Sequence, residues 1–344
     1  MASTKNPARD IVIKACQEHP EMPSFTLAKM LYRGKEKKLF TSFDALRSQI
    51  TYYRGRRTGG KKKDGTGRSA KDPIPATVSS SQAKWEYKAP KSLAEDYSDF
   101  VVHGSQRVLR LSDIHFPLHD ERALEASINY GIKKDPTVLL LDGDIIDCHS
   151  ISRYDKDPRH RYTETELRMI ADQFSDFRKA FPKARIIYKS GNHEFRIESY
   201  LLSKAPELFG LPGMDLPGLI SMVNGPESIM GVEFIGDNRT IRMGHLSFLH
   251  GHEFRGGGGV NPARWIYLRT GVSCIIGHFH KTSEHSEPNL HGSQIGCWST
   301  GCLCELRPQY DRKAKWNHGF AYVDVDSDGM FNVENRRIID GKVK

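Results

Sequence analysis

The chain has 344 residues, of which 38% are hydrophobic and 27% charged, with a formal net charge of +9. That balance builds a buried core and excludes a fibrous or wholly disordered chain, and no uncharged apolar run approaches the ~18 residues of a membrane helix. Residues 1–9 lack the apolar stretch of a secretion signal, and six irregularly spaced cysteines suit a reducing compartment, so the expected location is the cytoplasm (a host's, were the chain viral).

Residues 1–57 read as a small all-α module of three short helices. Asn6-Pro7 opens the first, which carries Ile11, Val12, Ala15 and Cys16 on one face; Pro20 and Pro23 end it. Ser24 is placed to cap a second helix with Leu27, Ala28, Met30 and Leu31, and Thr41-Ser42 to cap a third with Phe43, Leu46, Ile50 and Tyr53. The third helix and its end also bring Arg47, Arg54, Arg56 and Arg57. Three compact helices ending in a basic one are similar to a helix-turn-helix module, which makes these four arginines the expected nucleic-acid contacts. Charge supports the reading: residues 1–92 hold 20 Lys+Arg against 8 Asp+Glu, a net of +12, whereas residues 93–344 carry a net of −3. A basic appendage that docks on another protein is the competing reading.

Residues 58–92 are dominated by Gly, Pro, Ser and Lys, with few apolar groups to offset the entropy of ordering, which predicts a flexible basic linker. From Arg107 onward, apolar runs alternate with helical patterns. Strands are expected at 108–111, 138–141 and 186–188, with helices at 121–133 and 164–181 between them. Beyond Val232 the strands are closely spaced (232–235, 240–243, 246–249, 274–276, 294–298, 320–325 and 331–339), interrupted by one helix at 262–270. The pattern predicts a single α/β domain over 93–344, with two mixed sheets packed together, helices outside, and a site at the carboxyl ends of strands.

Five loops, each just after an expected strand, concentrate metal-ligand residues: Ser112-Asp113-Ile114-His115, Asp142-Gly143-Asp144-Ile145-Ile146-Asp147, Gly191-Asn192-His193-Glu194, His250-Gly251-His252 and Gly277-His278-Phe279-His280. Asp113 and His115, like His278 and His280, alternate in a way that extended backbone would aim to one side. Carboxylate, imidazole and amide donors together suit Mn, Fe, Zn or Ni rather than copper(I) or an iron–sulfur cluster. Cys297, Cys302 and Cys304 lack a C-x-x-C spacing and lie in strand territory, so they are expected to be core thiols and not a zinc site.

In order, these loops read D-x-H, G-D-x-x-D, G-N-H-E, a later H, and G-H-x-H. The pattern resembles the calcineurin-like metallophosphoesterase superfamily, over residues 113–280 of a domain of about residues 105–340. The resemblance implies a four-layer αββα sandwich and two divalent metal ions, Mn2+ first among the candidates. It implies Asp113, His115 and His280 on one metal, Asn192, His250 and His278 on the other, and Asp144 on both. It further implies that a metal-activated water attacks phosphorus while His193 serves the leaving oxygen as general acid or stabiliser, paired with Asp147, which holds its protonated form. Arg196 and His252, close to these motifs, are candidate substrate contacts.

Protein Ser/Thr phosphatases of the superfamily carry Arg after the second Asp of G-D-x-x-D and lack the G-H-x-H ending. Here Cys148 takes that place, and His278 and His280 are both present. These departures favour the phosphodiesterase and nuclease branch, and the basic amino-terminal quarter then favours DNA as the substrate and partner. The alternative is a phosphomonoesterase or a cyclic-nucleotide phosphodiesterase whose helical module binds protein.

Overall fold

Three helices form where the apolar spacing predicts them: α1 (Pro7–Glu18), α2 (Ser24–Arg33) and α3 (Phe43–Tyr53). The computed structural model describes residues 7–54, 87–94, 97–155, 162–308 and 312–344. Val12, Cys16, Leu27, Leu31, Phe40, Leu46 and Ile50 form the buried core of the helical module. Ser42 caps α3, its Oγ accepting the Ala45 N–H at 3.1 Å. Ser24 does not cap α2. The Pro23 carbonyl already accepts the Leu27 N–H at 3.0 Å, so the helix begins one residue earlier than expected and Ser24 is its first residue, with a buried Oγ. The chain divides into two units, 1–93 and 94–344; most of the expected linker lies outside the described residues.

The second unit contains two mixed sheets. One has seven strands in the order β13 (Lys342–Val343), β12 (Phe331–Ile339), β11 (His318–Val325), β2 (Gln106–Leu111), β3 (Val138–Asp142), β4 (Arg185–Lys189) and β5 (Val232–Ile235). The other has six, in the order β1 (Phe100–Val102), β6 (Ile241–Met243), β7 (Leu246–Phe248), β8 (Cys274–Ile276), β10 (Gln294–Ser299) and β9 (Ser283–Pro288). β2 to β5 run parallel to one another, and β7 runs parallel to β8.

Alternation along the strands builds the layers. Leu109, Leu111, Leu139, Leu141, Ile186 and Tyr188 face α4 (Glu121–Lys134) and α5 (Thr163–Ala180), which contribute Leu124, Leu167, Ile170, Phe174 and Phe177. Val108, Val138, Leu140 and Ile187, on the opposite face, pack against Ile241, Met243, Phe248 and Ile275 of the second sheet. The outer face of that sheet, with Ile276 and Ile295, is covered by Ala263 and Ile266 of α8 (Pro262–Thr270). The result is the expected αββα order.

Five elements were not legible: β1, β9, β13, α6 (Phe195–Lys204) and α7 (Leu216–Asn224). β9 reads Ser-Glu-His-Ser-Glu-Pro and lies at a sheet edge. An edge strand of this kind is polar on both faces, so no period-2 apolar signal exists to find.

Candidate metal centre

Three of the five loops follow neighbouring parallel strands of one sheet (β2, β3, β4), and two follow neighbouring parallel strands of the other (β7, β8). The carboxyl ends of all five meet. Asp113 Oδ1 lies 3.1 Å from His280 Nε2 and 3.9 Å from His250 Nε2. His280 Nε2 is 3.4 Å from His115 Nε2. Asp144 Oδ2 lies 3.1 Å from His250 Nε2, 3.7 Å from His193 Nε2 and 3.9 Å from His115 Nε2. Donors about 2.0–2.2 Å from one ion stand roughly 3 Å apart, so this crowding has the scale of a coordination sphere.

The backbone differs from the expected extended form. Asp113, His115, Asp144, His278 and His280 all have positive φ, between 54° and 64°. Each strand therefore ends in a sharp turn, and the strain is held by surrounding hydrogen bonds, as is common where a site overrides local preference. Glycine is required at two of the turns. A Cβ on Gly143 (φ 84°) would overlap the His250 ring, and one on Gly277 would overlap the Asp113 carboxylate.

Hydrogen bonds fix the imidazole tautomers. His250 Nδ1 donates to the Asp142 carbonyl at 2.9 Å, and His115 Nδ1 donates to Asp147 Oδ1 at 3.2 Å, which leaves each Nε2 as the inward-facing donor atom. Asn192 Oδ1 is buried and has no hydrogen-bond partner, and the buried His250 Nε2 faces the Asp144 carboxylate at 3.1 Å. A buried polar atom left unpaired is costly unless something binds it, and lone-pair donors of these types match a divalent cation. Two groups of side chains share Asp144 and could each hold an ion: His115 with His193, and His250 with His278.

Electrostatics within the cluster are strong. Burial works against charge on His115 and His250, yet the Asp147 hydrogen bond and Asp144 push His115 up to about 9, and Asp144 with Asp113 pushes His250 up to about 10. Burial and the charge of His250 push His278 down to about 4. Burial opposes ionisation of Asp113 and Asp144, but the histidines around them hold both below the usual carboxylate range. Cations entering such a site displace protons from the imidazoles.

His193 sits beside this cluster. Its Nδ1 donates to the Asp147 carbonyl at 2.8 Å, with Asp147 Oδ1 at 3.1 Å, and its backbone N–H donates to Asp144 Oδ1 at 2.9 Å. The Asp147 contact raises the pKa of this ring, but the net shift is downward. Burial lowers its pKa most, the charges of His115 and Arg196 add to that, and they outweigh the two carboxylates. Arg196 donates to His193 Nε2 at 2.8 Å and to the Asp147 carbonyl at 2.6 Å, so it lies beside the cluster. His252 lies further out. Its Nε2 is 3.5 Å from Asp237 Oδ2, and its ring centroid is 5.4 Å from that of His250.

In the helical module, Arg47 is exposed, with its guanidinium over the Phe25 ring at 5.6 Å. Arg54 is corrected from a groove contact to a structural tie. It is 4% exposed and donates to the carbonyls of His19, at 2.6 Å, and Met22, closing the turn between α1 and α2. Arg56 and Arg57 lie outside the described residues.

Several participants were not found from the sequence. The Glu194 carboxylate accepts the N–H groups of Asp144 (3.0 Å), Ile145 (2.8 Å) and Gly191 (2.8 Å) and the Tyr188 hydroxyl (2.8 Å), pinning two loops together. Glu253 accepts the N–H groups of His250 (3.1 Å) and Gly251 (2.6 Å) and pairs with the buried Lys189 at 2.9 Å. Their position inside the G-N-H-E and H-G-H-E strings was the only signal. Cys297, Cys302 and Cys304 are buried free thiols, as expected, but Cys304 also groups with His115 and His280.

Two similar proteins are each named Gene 54 protein. That of Mycobacterium phage L5 is 28% identical over 261 residues, covering 67% of this chain and 98% of the phage protein. That of Mycobacterium phage D29 is 27% identical over 239 residues, covering 64% and 90%. Among solved structures, a Vps29 single mutant from Entamoeba histolytica is similar at 14% identity and a TM-score of 0.36, covering 69% of this chain and 96% of its own. Residues 106–282, just over half of the chain, match the Calcineurin-like phosphoesterase family. The loops that meet at the carboxyl ends of both sheets fall within that match, and the chain belongs to the calcineurin-like phosphoesterase family of metal-dependent phosphoester hydrolases.

Proposed function

We propose that the protein is a two-metal phosphodiesterase that cleaves nucleic acid, with DNA the first candidate and Mn2+ the first metal to supply. The observation that carries the reading is the convergence of donors from five loops around Asp144, which two potential ion-holding groups share. Asp113, His115 and His280 would hold one cation, Asn192, His250 and His278 the second, with Asp144 between them. Bound cations supply an acidified water and neutralise charge on the phosphoryl oxygens.

The chain's own residues do the rest. Arg196 donates to His193 Nε2 beside Asp144, so a phosphate or leaving oxygen arriving there meets a guanidinium and an imidazole together. The Asp147 carbonyl accepts the Nδ1 proton of His193 and so orients Nε2 toward the reacting centre; once Nε2 has taken up a proton from solvent, the imidazolium can deliver it to the departing oxygen and return to neutral. The N-terminal unit, rich in Lys and Arg, tethers a polyanion to the same chain and so raises its local concentration.

The test uses purified protein, Mn2+ and labelled single- and double-stranded oligonucleotides, with p-nitrophenyl and bis-p-nitrophenyl phosphate alongside. Wild type is expected to cleave the diesters, Asp144→Ala to lose that activity, and His193→Gln to lower turnover by about 10²–10⁴-fold with its metals retained. Equal traces of product from wild type and Asp144→Ala would refute the reading, and a preference for the monoester would replace it with a phosphomonoesterase. Loss of metal from His193→Gln would move that residue from acid to ligand.

A further inference from the structure

We infer that Trp316 is a stacking platform for an unpaired nucleobase next to the reacting phosphate; this rests on the nucleic-acid reading above and deepens it. The Trp316 ring meets the ring of His280 edge to face, with centroids 4.2 Å apart and planes at 73°. His280 is itself 3.1 Å from Asp113 and 3.4 Å from His115. The indole therefore stands one ring's width from the cluster that would receive the phosphate. It is half-buried, so part of its surface reaches solvent.

Its position is held by the next residue. The Asn317 backbone N–H donates to the His280 carbonyl at 3.0 Å, and its carbonyl accepts the Cys302 N–H at 3.0 Å. The Asn317 side chain accepts from the Thr282 N–H at 2.9 Å and donates to Thr282 Oγ1 at 2.6 Å. Four bonds thus fix the chain on both sides of the G-H-x-H loop, and a fixed aromatic gives up little freedom when a base stacks on it.

Charge supplies the complement. Arg312, Lys313 and Lys315 are exposed and lie within four residues of Trp316, with no acidic residue between them, in a unit that otherwise carries a net negative charge. By chain length they lie within about 14 Å of it. An aromatic face interleaved with backbone-tracking cations is the combination that binds single strands, because every base offers a π-face and every linkage a charge.

Stacking requires a base that is out of its duplex, so the inferred substrate is single-stranded or locally opened. The test compares cleavage of a thymidine decamer with that of a decamer of abasic deoxyribose phosphates, read as the ratio of their kcat/KM values, with metal content measured on every variant. Trp316→Ala is expected to lower the ratio by about 5- to 150-fold, the range for one stacked base. Trp316→Phe keeps a π-face and Trp316→Leu keeps bulk without one; with the local fold filled in both, only Leu should lose the ratio. An unchanged ratio in Trp316→Ala and Trp316→Leu overturns the inference while leaving the nuclease reading intact. If wild type cleaves a double-stranded oligonucleotide but neither decamer, the inference alone is overturned; failure on every oligonucleotide overturns the nuclease reading and this inference with it.

Discussion

The backbone N–H of His278 donates to both carboxylate oxygens of Asp113, at 3.0 and 3.1 Å. The first and last of the five motifs, 165 residues apart and in different sheets, are thus joined directly. Replacing Asp113 with Asn removes the charge and puts an amide against that N–H. Metal affinity and turnover are expected to fall by more than the roughly 10- to 100-fold typical of losing a supporting partner. Elemental analysis of the purified variant, beside its kcat, checks this; two metals at wild-type turnover would take Asp113 out of the ligand set.

Arg110 and Asp142 form an ion pair at 2.6 Å with both side chains fully buried, and Arg110 also donates to Thr300 Oγ1 at 2.9 Å. A buried pair can be neutral overall, but breaking it strands a charge. Arg110→Met is expected to cost about 3–5 kcal/mol in urea unfolding, and Arg110→Met combined with Asp142→Leu to recover most of that loss. If the double variant is no more stable than the single one, the stranded charge is not the cause.

Glu166, on α5, is 1% exposed, and its carboxylate accepts the Cys148 N–H at 2.7 Å. Burial first, then the charge of Asp147, pushes its pKa up to about 7. Below about 4.5 it is protonated folded or unfolded; between there and 7 only the folded state keeps the proton. Its contribution to stability therefore falls as pH rises through that window, by about 3 kcal/mol in all. Glu166→Gln keeps an acceptor for Cys148 but cannot ionise. Its stability relative to wild type should rise from pH 5 to pH 8 in chemical denaturation, and a constant difference would refute the assignment.

Removing residues 1–92 is expected to leave hydrolysis of bis-p-nitrophenyl phosphate intact while weakening oligonucleotide binding. The slope of log K against log salt should shrink by about 0.7–0.9 for each phosphate that the shortened chain no longer neutralises. Arg47→Ala in the full chain should shrink it by about one such step. Equal binding by the full and shortened chains at low and high salt would leave the basic module without a nucleic-acid role.

The class of the domain and the candidate donors are legible in the residues alone. Strand and helix periods are local, and the donors occupy short strings (113–115, 144–147, 191–194, 250–252 and 277–280) that keep their order whatever packs around them. Which loops meet depends on the folded chain, because each meeting spans strands or sheets far apart in the sequence. The fold shows that Asp113 answers to His278, that Glu194 gathers the N–H groups of two other turns, that Arg54 is spent on carbonyls instead of facing outward, and that Trp316 stands against His280. A side chain's type is written in one position, but its charge state and partner depend on burial and on neighbours tens to hundreds of residues away, and no local pattern encodes those.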